Sequence, residues 1–165
     1  MKRLLLSLLL LLFVGSGQGE ECYRPAGTWY SATLSGYDEV PTISSAGRAQ
    51  FVAYLSPDRK ELYYRLLYYS LDGGKVTGAH LHLGRPGVAG GVIAPLVAKE
   101  WCKGADFGWH GELEAKSVVG PAAQGIAPRE LEKLLRALDA GAVYVNLHTE
   151  KFQNGEIRGA VKAWK

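Results

Sequence analysis

The residues through which this chain could do chemistry are its four histidines, His80, His82, His110 and His148. His80 and His82 are two residues apart in Ala79-His80-Leu81-His82-Leu83, a segment that reads as a strand, so both rings project from one face. That spacing suits two imidazoles chelating one ion. His148 ends the run Val143-Tyr144-Val145-Asn146-Leu147-His148, on the face opposite Val143, Val145 and Leu147, where a third ligand could approach. Three imidazoles suit copper or zinc. The plainer alternative is that these rings hydrogen-bond backbone or carboxylate partners and organise loops. His110 has no such pairing and reads as a surface or capping residue.

Other chemistries lack their residues. No serine sits in a Gly-x-Ser-x-Gly elbow. The glycines between Gly84 and Gly91 lack the Lys-Ser/Thr of a phosphate loop and do not lead into a helix. Asp38 and Glu39 are adjacent and point apart in an extended segment, so they do not make a paired-carboxylate hydrolase. The aromatic residues Trp29, Tyr30, Tyr63, Tyr64, Tyr68 and Tyr69 offer a ligand platform or ordinary cross-strand packing, and packing is the reading adopted.

A length of 165 residues with 47% hydrophobic content makes one domain and excludes intrinsic disorder. Met1-Lys2-Arg3, the apolar run Leu4–Val14 and the small residues Gly15–Gly19 read as a secretory signal over 1–19, too short in its apolar part for a membrane span. The formal charge of +3 falls to 17 bases against 16 acids once Lys2 and Arg3 are set aside. A near-neutral body has no charge-driven case for nucleic acid. The expectation is an exported protein, periplasmic or extracellular, with no membrane span in its mature chain. Cys22 and Cys102 are its two cysteines, and in an oxidising compartment they read as one disulfide. The chain-entropy argument credits such a loop with roughly 4–5 kcal/mol. Met1 is the one methionine, which excludes a Met-rich carrier of soft Cu(I).

The elements that must position the histidines are short strands separated by Gly, Pro, Asp and Ser. Strands are expected at 28–34, 48–55, 62–69, 76–83, 92–98, 109–115, 143–148 and 156–164. The run 62–69 is apolar on both faces and is expected between layers. Leu131, Leu134, Leu135 and Leu138 form one stripe of a short helix over about 128–140, opened by Pro128 and stopped by Gly141. Asn154-Gly155 is expected to hairpin the last two strands. The expected fold is all-β, a Greek-key-like antiparallel β-sandwich with that helix before the last two strands. Residues 20–27 form a lead-in, and 28–164 form the domain.

Ala32-Thr33-Leu34-Ser35-Gly36 followed by Glu39-Val40-Pro41 resembles the opening of the CHRD domain, the module repeated in animal chordin. Ala79–Gly84 resembles its central signature, and Tyr144–Thr149 with Asn154–Gly159 its closing one. The resemblance implies a β-sandwich in which Glu39, Pro41, Asn146, Gly155, Glu156 and Arg158 are structural positions of the family motif. A weaker similarity is to the Cu/Zn superoxide dismutase sandwich, which implies that His80, His82 and His148 stand where copper ligands stand. No His-rich zinc loop with its Asp exists here, so a dinuclear site cannot be assembled. The functional expectation is a binding or structural module of the cell envelope, its partner an unknown protein or envelope component, carrying one copper or zinc ion. The alternatives are a copper-dependent redox enzyme and a metal-free protein–protein module.

Overall fold

Runs of aromatic and β-branched residues, cut by turn residues, form nine strands and one α-helix in the computed structural model, which describes residues 27–97 and 108–164. The strands are β1 (Thr28–Ser35), β2 (Arg48–Leu55), β3 (Leu62–Tyr69), β4 (Val76–Leu83), β5 (Val92–Leu96), β6 (Gly108–Leu113), β7 (Val143–Thr149), β8 (Ile157–Ala160) and β9 (Lys162–Ala163). Helix α1 spans Leu131–Asp139. All pairings are antiparallel, in the order β5-β4-β7-β8-β1-β2-β3-β6, with β9 beside β1. The sheet curls until its edges approach. Tyr64 of β3 reaches Val97, just past β5, where its hydroxyl accepts the Val97 N–H at 2.7 Å and donates to the Val97 carbonyl at 2.8 Å. The all-β, sandwich-like fold is the one expected.

Alternation supplies the core. Tyr30 and Leu34, Phe51, Leu62 and Leu66, Leu81, Ile93, Val145 and Leu147 all turn inward and are buried. Leu134, Leu135 and Leu138 of α1 join them as one apolar stripe. Each such leucine contributes roughly 1.5–3 kcal/mol of burial, an upper estimate against a compact unfolded chain. The Tyr30 hydroxyl donates to Asp139 Oδ1 at 2.7 Å, tying β1 to the end of α1. The helix starts three residues later than Pro128 suggests, because Arg129 takes a left-handed φ of 71° that no helical turn accommodates. It stops at Gly141, whose φ is 63°. There the Ala142 N–H bonds the Ala137 carbonyl and the Gly141 N–H bonds that of Leu138, a Schellman cap.

Two expectations are corrected. Strand β3 is not between layers: Leu62, Tyr64 and Leu66 face the core, whereas Tyr63 and Tyr69 are exposed. Tyr63 on its outer face joins aromatic residues of other strands instead, in a ladder of Trp164, Trp29, Tyr54 and Tyr63 with successive centroids 6.3, 5.0 and 6.4 Å apart. The last strand is divided: β8 pairs with β7, and after Val161 the chain crosses to pair β9 with Tyr30 and Ser31 of β1. Asn154-Gly155 hairpins β7 to β8 as expected, within a connection over 150–156 in which Phe152 O accepts the N–H groups of both Thr149 and Gly155. Cys22, Cys102 and residues 1–26 lie outside the described residues. Among the described residues no helix is long and apolar enough to cross a membrane.

Candidate metal centre

Strand β4 lies between β5 and β7, and its register with β7 assembles the histidines. Residue pairs His80↔Asn146, His82↔Tyr144 and Gly78↔His148 face one another. Their inward neighbours Ala79, Leu81, Val145 and Leu147 are core residues, so these six occupy the outer face. His148 is diagonal to His80, within reach of a ring on an antiparallel pair. His80 Nδ1 lies 2.9 Å from His148 Nε2. One nitrogen from each of His80, His82 and His148 lies within 4.8 Å of the others, and no carboxylate or thiolate of the described residues joins the group. His110 is on β6, at the far end of the sheet order, opposite Arg65. It is not part of the cluster.

Two loop carbonyls fix the tautomers. His82 Nδ1 is 2.9 Å from Gly90 O, and His148 Nδ1 is 2.9 Å from Gln153 O. A carbonyl only accepts, so each Nδ1 carries the proton and each Nε2 keeps its lone pair. For His148 that lone pair faces His80. For His82 it is buried and has no hydrogen-bond partner. A buried acceptor without a donor is costly and rare. Burial also holds all three imidazoles below the usual histidine pKa, His82 at about 4, with the neighbouring His148 adding to the effect on His80. All three are therefore neutral near pH 7, the form that binds a cation.

This donor set matches what an ion requires. Ligating histidines typically donate the second ring N–H to a carbonyl or carboxylate, and His82 and His148 do so. Two nitrogens each about 2.0 Å from a shared ion lie roughly 3.3–3.5 Å apart. To coordinate through the same atoms, His80 would shift its Nδ1 proton to Nε2 and the His80–His148 pair would open by about half an ångström, while the nitrogens that stand up to 4.8 Å apart would draw together.

Behind the histidines sits a stacked support that the sequence reading did not single out. The Tyr144 ring stacks on His82 with centroids 4.8 Å apart and planes 9° from parallel. The Arg158 guanidinium lies 4.4 Å over the same Tyr144 ring. The Tyr144 hydroxyl accepts the Gly90 N–H at 3.1 Å. No side chain fits at Gly90, where a Cβ would collide with the Leu83 carbonyl. The alternation of Tyr144 with His148 placed this ring on the right face. The carbonyls of Gly90 and Gln153 leave no mark in a side-chain pattern.

The motif residues form two buried networks beside the cluster. Arg158 Nε donates to Glu39 Oε2 at 2.8 Å, and Asn146 Nδ2 donates to Glu39 Oε1 at 2.6 Å. Gly155, with a φ of 124°, closes over them: a Cβ there would lie 2.5 Å from Asn146 Nδ2 and 2.6 Å from Glu39 Oε1. Pro41 follows a cis peptide bond just beyond Glu39. Glu156 accepts from Ser45 Oγ (2.6 Å), Thr149 Oγ1 (2.7 Å) and the N–H groups of Asp72 (2.6 Å) and Gly73 (3.1 Å).

A curled antiparallel sheet, loops pinned by buried carboxylates and a histidine-bearing outer face define the class of molecule. The CHRD-domain family model matches residues 30–161, and the chain belongs to the CHRD-domain family. No curated protein and no solved structure matches it.

Proposed function

We propose that this CHRD-domain chain is an exported binding module that holds one copper or zinc ion through His80, His82 and His148. The observation that carries the reading is the His82 Nε2 lone pair, buried and without a donor beside two further imidazole nitrogens. A bound ion would satisfy it and act there as a Lewis acid. Hydrogen bonds from His82 to Gly90 and from His148 to Gln153 hold the rings in the ligating tautomer. Export is supported by the basic start and apolar run within residues 1–19. A Cys22–Cys102 disulfide belongs to the same reading, and a two-dalton mass increase on reduction of the purified protein tests it. The module's partner in this reading is a protein or another envelope component.

The ion is tested by equilibrium dialysis of purified protein against Cu(II) or Zn(II), followed by metal analysis. One ion per chain is expected, with loss in His82→Ala and His148→Ala and retention in His110→Ala. Equal binding in all four proteins sinks the site. A second reading rests on the direct His80–His148 hydrogen bond, in which the rings buttress two loops without metal. It predicts no stoichiometric ion and only a loss of stability in the same variants.

A further inference from the structure

The outer face around the histidines is unevenly filled. His80 faces Asn146 and His82 faces Tyr144, and both of those partners are buried. His148 faces Gly78, which has no side chain. A Cβ built at Gly78 meets only the His80 ring, Cε1 at 3.6 Å and Nε2 at 3.8 Å, which is ordinary contact. The strand therefore leaves a berth at the one position directly opposite His148 and beside His80. Tyr144 closes the His82 side, and the His80 and His148 rings are partly exposed.

Charge gives that berth an occupant. The three donors are imidazoles, which bring no negative charge, and no carboxylate or thiolate of the described residues is grouped with them. A dication held there would keep its full charge in a half-buried place. The charged side chain nearest the stack is Arg158, a cation, and its carboxylate partner Glu39 is already engaged by it and by Asn146. Burying uncompensated charge is unfavourable, so the compensating anion must come from solution. Three protein ligands with a fourth position free is also the arrangement of an ion that binds exogenous ligands.

We propose that the ion at His80, His82 and His148 keeps one coordination position open over Gly78, and that this position takes a small monoanion. The proposal rests on the metal reading above and adds the ligand class and the residue that gives access. Binding of ion and anion is reciprocal: each raises the affinity of the other by the same factor.

The test uses Cu(II)-loaded protein in chloride-free buffer, titrated with sodium azide after the copper stoichiometry has been measured. Azide is expected to bind one per copper with a saturable azide-to-copper charge-transfer band. Copper affinity should rise at saturating azide, by about tenfold or more, and linkage makes that factor equal to the one copper adds to azide binding. Gly78→Val should keep one copper per chain and weaken azide at least about tenfold, because branched methyls fill the berth; Gly78→Ser, a smaller group, should weaken it less. Circular dichroism verifies that both variants fold. Stoichiometric copper with no azide band overturns the open position while leaving the metal reading intact. Unchanged azide affinity in a folded Gly78→Val protein overturns the berth. Absence of stoichiometric copper and, in the parallel dialysis, of stoichiometric zinc removes both readings at the first measurement.

Discussion

Two polar centres lie within a few residues of each other on β7 and the segment leading into β8, and they are built on opposite plans. The Glu156 carboxylate is fully buried, and two hydroxyls and two backbone N–H groups saturate it. The histidine cluster has three rings, two loop carbonyls and one buried lone pair left over. The first centre closes on itself and ties the segments around Ser45, Asp72 and Thr149 to the strand. The second has a deficit that points to a ligand. A buried polar group that is completely satisfied is doing structural work, whereas one held rigidly but left short is a candidate for function.

The sharpest way to break this comparison is to remove Glu156. Glu156→Ala leaves four donors without their acceptor and is expected to cost about 3 kcal/mol or more, read from urea unfolding. It should disorder the loops at 45–47 and 72–74. A cost below about 1 kcal/mol would put the structural role elsewhere. By contrast, His82→Ala should change stability of the metal-free protein by about 1 kcal/mol or less, because it also removes the orphaned acceptor. Yet its copper affinity should fall at least about a hundredfold. The two variants thus separate stability from binding, and a large metal effect from Glu156→Ala in folded protein would blur the distinction.

Gly155 gives an intermediate case. Gly155→Ala places a Cβ at a φ of 124° and against Asn146 and Glu39, so about 1–3 kcal/mol of destabilisation is expected in thermal unfolding. The smallest effect concerns Tyr30, far from both centres. Burial raises its pKa well above the ordinary tyrosine value, with the Asp139 hydrogen bond second. A raised pKa means that the folded state keeps its proton while the unfolded chain ionises near pH 10. Tyr30 therefore stabilises fully below pH 10 and loses that contribution as pH rises towards its folded value. Tyr30→Phe should cost about 1 kcal/mol at pH 7 through the lost hydrogen bond, and the gap to wild type should shrink above pH 10. A gap independent of pH would contradict the assignment.

Much of the fold is legible in the sequence. Turn residues flank β2, β3 and β4 closely enough that their ends agree with the reading residue for residue. The faces of β4 and β7 followed from alternation, which is why His80, His82 and His148 were grouped. Their convergence needed the pairing of β4 with β7, a contact across 68 residues that no local pattern carries. The β3 face was misjudged because Tyr63 and Tyr69 count as apolar in composition yet remain stable at the surface when a neighbouring strand offers a ring or a hydroxyl keeps its water. Gly78 was invisible as a functional position, since its contribution is the absence of a side chain opposite His148.

The aromatic ladder across β9, β1, β2 and β3 lies away from the histidines. Trp29 of β1 and Trp164, which follows β9, lie 6.3 Å apart with planes inclined at 53°. Two indoles at that separation are close enough for their electronic transitions to couple, so an exciton couplet is expected in the far-ultraviolet circular dichroism. The couplet depends on β9 staying zipped to β1, where the Trp164 N–H bonds the Trp29 carbonyl at 2.7 Å. The protein thus carries a built-in optical gauge of whether its C-terminal strand is seated, read without a label and independently of the histidines.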